Sequence, residues 1–284
     1  MIEKYKGTIL NGVPSMFLAM LRNEKRFDYN LSSVKSGIIA GSPINPGEYK
    51  EICKIFNNIK LQPSYGQSEA SPCITIADYD DTIEKKSVTD GKVIDHVELR
   101  IRKLHDGSLC KPGEEGEIEV RGYNIMKGYI GSGCETDKTI TLDGWLKTGD
   151  LGVMSEDGYL SITGRCKNVI IRGGENVSPV EVENAIKDVV KNSEVKVFGV
   201  KSDVVQEEIV AAIETEGNMS IKGMKKDIQN HLKSTLCGYK IPRYIYFVDN
   251  MPRLGSGKID EKSLKLSVSK MVEDERSFKM SRTI

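Results

Sequence analysis

Residues 36–70 read SGIIAGSPINPGEYKEICKIFNNIKLQPSYGQSEA. The run Ser36–Ala40 is short and apolar and ends in Gly41-Ser42-Pro43, the pattern of a buried strand entering a turn. Asn45-Pro46 then opens a helix through about Phe56, with proline at an early helical position where its missing N–H is harmless. Ile59-Lys60-Leu61 leads into a second turn block, Tyr65-Gly66-Gln67-Ser68-Glu69. Strand, turn, helix, strand, turn is an α/β pattern. Ligands of such sheets sit beyond the carboxyl ends of the strands, where both turn blocks fall. Upstream, Pro14–Arg22 carries Met16, Phe17, Met20 and Leu21 at helical spacing.

The texture changes twice along the chain. From about Gly91, Val97–Arg102 and Glu117–Arg121 alternate apolar and polar residues between glycine-rich turns, which predicts small β-structure, a distorted barrel or a pair of sheets. After Lys167, Asn168–Ile171 reads as a strand, and Ser178-Pro179 opens a helix to about Val190. Val195–Val200, Ile209–Ile213 and Tyr244–Val248 read as strands. Ser220–Leu236 reads as a helix with Ile221, Met224, Ile228 and Leu232 on one face. The expected organisation is a remainder of a large domain over 1–167, with α/β character to about residue 90 and β-barrel-like character to 165. A small α+β domain follows over 168–266, and 267–284 reads as a polar, frayed tail.

The 284 residues suffice for a sizeable core. Lys+Arg and Asp+Glu both total 41, so the formal net charge is zero, which argues against nucleic acid or an anionic membrane as the main partner. Six scattered cysteines and three distant histidines give no metal-ligand spacing and read as reduced thiols of a cytoplasmic protein. The first residues are polar, without the apolar core of a signal peptide, and no apolar run reaches the ~20 residues of a membrane span.

Several small clusters could carry chemistry. In Tyr65-Gly66-Gln67-Ser68-Glu69 the ring can stack on a purine, the Ser68 hydroxyl can donate to a phosphate, and Glu69 can hold Mg²⁺, a cation that prefers oxygen ligands. In Thr148-Gly149-Asp150 the carboxylate can accept from both hydroxyls of a ribose. Lys258 follows Gly255 and Gly257, and a lysine on a glycine-flanked loop can enter a site and neutralise a developing phosphoryl charge. The pair Gly173-Gly174, followed by Glu175-Asn176, permits close backbone approach to a ligand.

In their order, these blocks together with Gly164-Arg165-Cys166-Lys167 resemble the second half of the AMP-forming acyl-activating enzymes. That superfamily comprises acyl-CoA synthetases, luciferases and carrier-protein adenylation domains. The resemblance runs from about Ile2 to Leu266, and Gly12-Val13-Pro14-Ser15-Met16-Phe17 tilts it toward medium- or long-chain fatty-acyl-CoA ligases. It implies a truncated acyl-adenylate synthetase fold whose reaction joins a carboxylic acid, ATP and coenzyme A, with Mg²⁺. Gly41, Ser42, Pro43, Tyr65 and Gly66 would then face adenine. Asp150 and Arg165 would hold the ribose and phosphate, and Ser68 and Glu69 the phosphate and Mg²⁺. Lys258 would be catalytic for adenylation. Gly173, Gly174 and Glu175 would serve thioester formation, and Lys167 would be the hinge between half-reactions. Leu254 and Ser68 depart from the usual threonines. The Ser/Thr/Gly-rich loop ending in Pro-Lys-Gly, which grips the triphosphate in that superfamily, does not occur between Met1 and Tyr65. The chain is therefore expected to be inactive alone and to need the missing N-terminal part, in cis or as a separate chain. Two alternatives stay open: an enzyme that loads a carrier protein, and a remnant or half of a split enzyme that only binds nucleotide. Homo-oligomer formation stays open as well.

Overall fold

The computed structural model describes residues 1–57, 59–190, 193–215, 221–255 and 258–280, the side chains of 221–222 and 278–280 excepted. The chain divides into two compact units, Met1–Cys166 and Lys167–Ile284.

The first unit opens with two helices, α1 (Ile2–Tyr5) and α2 (Pro14–Arg22). Strand β1 (Ser36–Ala40), helix α3 (Pro46–Ile55) and strand β2 (Lys60–Tyr65) follow. Asn45 caps α3 by accepting from the Gly47 N–H at 2.8 Å, and Pro46 occupies the first turn. Tyr49, Ile52 and Cys53 fall on one face of α3 and pack with Phe56, just past its end, and with Phe17, Ile39 and Leu61 into a buried apolar core. β1 and β2 pair in parallel from Ser36↔Lys60 to Ala40↔Ser64, so Gly41 and Tyr65 leave the sheet side by side. β3 (Thr75–Ile76) adds antiparallel to β2, and β4 (Lys92–Val93) to β3, with α4 (Ile83–Lys86) between them.

A second sheet is an antiparallel meander of β5 (Val97–Arg102), β6 (Glu115–Gly122), β7 (Leu146–Met154) and β8 (Leu160–Arg165), with α5 (Gly133–Thr139) in the β6–β7 connection. Its inward residues Ile101, Ile118, Val120, Leu146 and Leu160 pack on Ala70 and Ile74 from the turn after β2. The sheet does not close into a barrel: among the described residues β5 and β8 end the strand order and do not pair with each other, β8 bonding instead to the Asp90–Gly91 segment and β5 to Ser108–Cys110. The Ala70–Ile74 segment fills the concave face that closure would otherwise have to cover.

In the second unit, β9 (Ile170–Arg172) and β10 (Glu175–Val177) form a hairpin, followed by α6 (Pro179–Lys187). β11 (Val195–Ser202) and β12 (Gln206–Glu214) form a long antiparallel pair. After α7 (Ile221–Thr235), β13 (Tyr244–Val248) joins β12 in parallel. β12 is covered on both faces, which explains its unbroken apolar run. Ile209, Ala211 and Ile213 point into a core with α6 and α7, while Val210 and Ala212 point to the opposite core.

That opposite core is closed by α8 (Glu261–Met280), and here the sequence reading was wrong. The stretch expected to fray continues as helix to Met280, with Val268 and Val272 each 1% exposed beside Leu264. One apolar residue every fourth position suffices to line a helix on a sheet, although the segment as a whole is polar. Tyr246 donates to Glu275 at 2.8 Å, and Arg276 donates to the Lys201 carbonyl at 3.0 Å. No helix among the described residues is long and apolar enough to cross a membrane.

Candidate functional site

The first unit gathers its candidate residues at the carboxyl end of the β1–β2 pair. Gly41 leaves β1 with φ +93°, a left-handed conformation that suits glycine, and Ser42 and Pro43 are exposed beside it. Tyr65 ends β2. Gly66 has ordinary backbone angles but lies against the next turn: a Cβ there would sit 1.7 Å from the Pro72 carbonyl oxygen. Buried Asn124 fastens this turn by donating to the Ala70 and Cys73 carbonyls at 3.1 and 2.8 Å.

Asp150 lies opposite Arg165 in the β7–β8 ladder. Its carboxylate accepts from the Tyr65 hydroxyl at 2.8 Å and pairs with Arg165 Nε at 2.8 Å. Asp150 is 4% exposed, whereas the Arg165 side chain is half exposed. Thr148 holds the strand from behind, donating to the Ile118 carbonyl and accepting from the Asp150 N–H. The Gly149 N–H donates to Glu117 at 3.2 Å. Burial and the neighbouring Asp150 push the Tyr65 phenol upward, so it stays a donor at physiological pH. Burial, then Glu117 and Asp150, push the Cys166 thiol up to about 12. Tyr65, Asp150 and Arg165 thus form one cluster, in which the Tyr65–Asp150 bond joins residues 85 positions apart. It offers an aromatic face, carboxylate lone pairs and a cation that reaches solvent.

Glu69 sits in the turn after β2 and accepts from the Tyr129 hydroxyl at 2.9 Å; Ser68 beside it is exposed. Among the described residues, no group of three His, Cys, Asp or Glu side chains converges as a metal cage. A single half-exposed carboxylate nevertheless fits Mg²⁺, which is commonly held by one or two carboxylates plus substrate phosphates.

The second unit presents two loops. Gly173 (φ +61°) and Gly174 (φ +87°) make the tight turn of the β9–β10 hairpin, and Glu175 follows, exposed. Two central residues with positive φ define a twisted hairpin turn that glycine enters without strain. The loop before α8 is closed at its base by the Arg253↔Ile259 bridge and the Leu254 N–H to Lys258 carbonyl bond of 2.8 Å. Arg253 pairs with Glu214 at 2.8 Å, and Lys258 is exposed. Of the two glycines expected beside the lysine, Gly255 is exposed, and Gly257, with Ser256, lies outside the described residues. Lys167 is the first residue of the unit and sits in a turn of 3₁₀-helix, Cys166–Asn168.

Residues 1–130 match the family model of AMP-binding enzymes, and residues 181–258 match that of the AMP-binding enzyme C-terminal domain. The chain belongs to the AMP-binding enzymes. This AMP-binding enzyme is 38% identical over 265 residues to the mitochondrial medium-chain acyl-CoA ligase ACSF2 of Homo sapiens, across 93% of the chain and 43% of the relative. It superimposes on ATP-bound MatB from Rhodopseudomonas palustris with a TM-score of 0.83 at 26% identity, covering 94% of the chain and 52% of MatB. The o-succinylbenzoate CoA synthetase of Bacillus subtilis, in complex with its acyl-adenylate intermediate, gives 0.78 at 28% identity, covering 91% and 51%. The chain thus spans about half the length of the curated relatives it matches.

Three side chains of this AMP-binding enzyme escaped the sequence reading: Tyr129 on Glu69, Asn124 under the Tyr65 turn, and Glu117 under Gly149. The alternation around Glu117 marked a strand and gave no sign that this outward position meets Gly149. Tyr129 and Asn124 lie in a connection whose path only the fold defines.

Proposed function

We propose that the chain carries the adenylate-holding and acyl-transfer parts of an ATP-dependent, AMP-forming acyl-CoA ligase. The observation that carries this is the Tyr65–Asp150–Arg165 cluster beyond the ends of two parallel strands. In the reaction a substrate carboxylate oxygen attacks the α-phosphorus of ATP and pyrophosphate leaves. The thiol sulfur of coenzyme A then attacks the acyl carbonyl and AMP leaves. Asp150 keeps lone pairs for the ribose hydroxyls while Tyr65 and Arg165 fix its orientation, so it is set before the ligand arrives. The Tyr65 ring and the Gly41–Pro43 turn take adenine, and Arg165 reaches the α-phosphate. Ser68 adds a donor to phosphate, and Glu69 holds Mg²⁺, which would supply charge neutralisation. Lys258 adds positive charge in the first step, and the Gly173–Glu175 hairpin admits the pantetheine chain in the second. Lys167, at the junction of the units, is the pivot between the steps.

The acid is proposed to be a medium-chain fatty acid, on the likeness to the human medium-chain ligase. Six free cysteines fit a reducing compartment such as the cytoplasm. The 284 residues by themselves contain no Pro-Lys-Gly phosphate loop, so the purified chain should bind adenylate without forming it. Calorimetry with AMP and a non-hydrolysable acyl-AMP analogue tests the reading. Binding should be measurable, lost in Asp150→Ala and weakened in Asp150→Asn. Equal affinity in Asp150→Ala would remove the ribose assignment.

A further inference from the structure

The β9–β10 hairpin is not held to its sheet by an ordinary strand ladder. β9 meets β12 at one residue pair, Arg172↔Gln206. Around that point, four consecutive residues are each tied separately to one short segment, Val205–Glu208. The Ile171 N–H donates to the Glu207 carboxylate at 2.9 Å. The Arg172 guanidinium faces buried Glu208 at 3.2 Å, as an ion pair not aligned for a hydrogen bond, and donates to the Tyr239 carbonyl at 2.7 Å. The Gly173 N–H donates to the Val205 carbonyl at 2.9 Å, and the Gly174 N–H to the Gln206 side-chain oxygen at 2.9 Å. Arg243 holds the other Glu208 oxygen at 2.6 Å, which fixes that carboxylate.

Gln206 stands out within this segment. Its φ is +65°, a left-handed conformation that a non-glycine residue rarely adopts. Strained backbone of this kind persists where surrounding contacts impose it, and it concentrates at functional positions. The bond to Gly174 is the contact that ties the Gln206 side chain to the hairpin.

We propose that Val205–Glu208 positions the Ile171–Gly174 turn, with Gln206 as the positioning residue that fixes the outermost amide through its side-chain oxygen. The turn is thereby held in one conformation although its glycines alone would leave it free to move. The catalytic meaning of this positioning rests on the proposed role of the hairpin in thioester formation.

Amide hydrogen exchange at Gly174 in the full 284-residue chain tests the proposal. Gln206→Gly removes the acceptor, and glycine accepts a φ of +65° without strain, so the variant should fold. Exchange at Gly174 should accelerate about tenfold or more, while peptides from α6 and β13 keep their protection. Gln206→Glu retains an oxygen at the same reach and should restore slow exchange. Unchanged exchange in Gln206→Gly, or faster exchange spread over the whole second unit, would overturn the proposal. Coenzyme A forms a separate arm: in the native chain it should slow exchange in the hairpin. If Gln206→Gly loosens the turn but coenzyme A leaves the native hairpin unaltered, the positioning stands and the hairpin's role in thioester formation falls.

Discussion

Asp90 offers a measurable link between burial and pH. Its carboxylate accepts from the Ile162 N–H at 2.9 Å, its N–H donates to the Leu160 carbonyl at 2.7 Å, and its carbonyl accepts from Thr75 at 2.6 Å. The residue ties the two sheets of the first unit together. Burial outweighs the single hydrogen bond and raises its pKa to about 6. An unfolded aspartate titrates near ~3.9, and each unit of difference is worth about 1.36 kcal/mol, so ionising Asp90 in the folded state costs about 3 kcal/mol. Asp90 is only partly buried as a whole residue, and solvent screening lowers the expected figure to about 1.5–3 kcal/mol. The folded pKa lies above the unfolded one. The contribution of Asp90 to stability is therefore greatest below pH ~4, declines as pH rises to about 6, and is level above that. Asp90→Asn keeps the acceptor for Ile162 and removes the titration. It should be more stable than the parent by about 1.5–3 kcal/mol at pH 7.5 and by almost nothing at pH 4. Trp145, the sole tryptophan and 6% exposed, reports unfolding of this unit in urea by its fluorescence. A variant no more stable at pH 7.5, or with the same advantage at both pH values, would refute the reasoning.

Three further outcomes follow from the same structure. Val268→Ala should cost about 1–3 kcal/mol in urea unfolding followed by circular dichroism, while Leu266→Ala on the outer face of α8 should cost less than about 0.5; equal effects would mean that the helix is not docked. Cys166 should resist alkylation at pH 8 in the folded chain while exposed Cys134 and Cys237 react, because its thiol is held near 12; rapid modification at Cys166 would show that the site is open. With the triphosphate cradle supplied in cis or as a second chain, Lys258→Ala should slow acyl-AMP formation ~10²–10³-fold and spare acyl transfer from preformed acyl-AMP. Equal loss of both steps would reduce Lys258 to a support of the fold.

Local pattern carried the fold as far as each element could declare itself. β1, α3 and β2 were legible because each has its own period and a proline or glycine at its boundary. β12 was legible as a strand, but its service to two cores appears only when α8 is seen to cover Val210 and Ala212. α8 itself was hidden, because three buried residues among charged ones look like a solvated tail until the opposing sheet is known. The barrel was a fair extrapolation from alternating strands, yet alternation fixes which face is buried and leaves open whether the sheet closes. At the site, the glycine blocks marked where turns approach a ligand. The hydrogen bond of Tyr65 to Asp150 joins residues 85 positions apart and has no local signature.

The glycines of the candidate sites differ in what forbids a side chain, and this bears on how a mutational scan should be read. At Gly66 the backbone is ordinary and the obstacle is space, since a methyl group would drive the Pro72 peptide away and carry the Tyr65 turn with it. At Gly173 and Gly174 the space is open and the obstacle is handedness. Loss of binding in Gly66→Ala would therefore follow from packing alone, whatever the nucleotide does. At 173 and 174, a mirror-image alanine introduced by semisynthesis would meet no backbone penalty. A loss of function there would report the ligand's need for room.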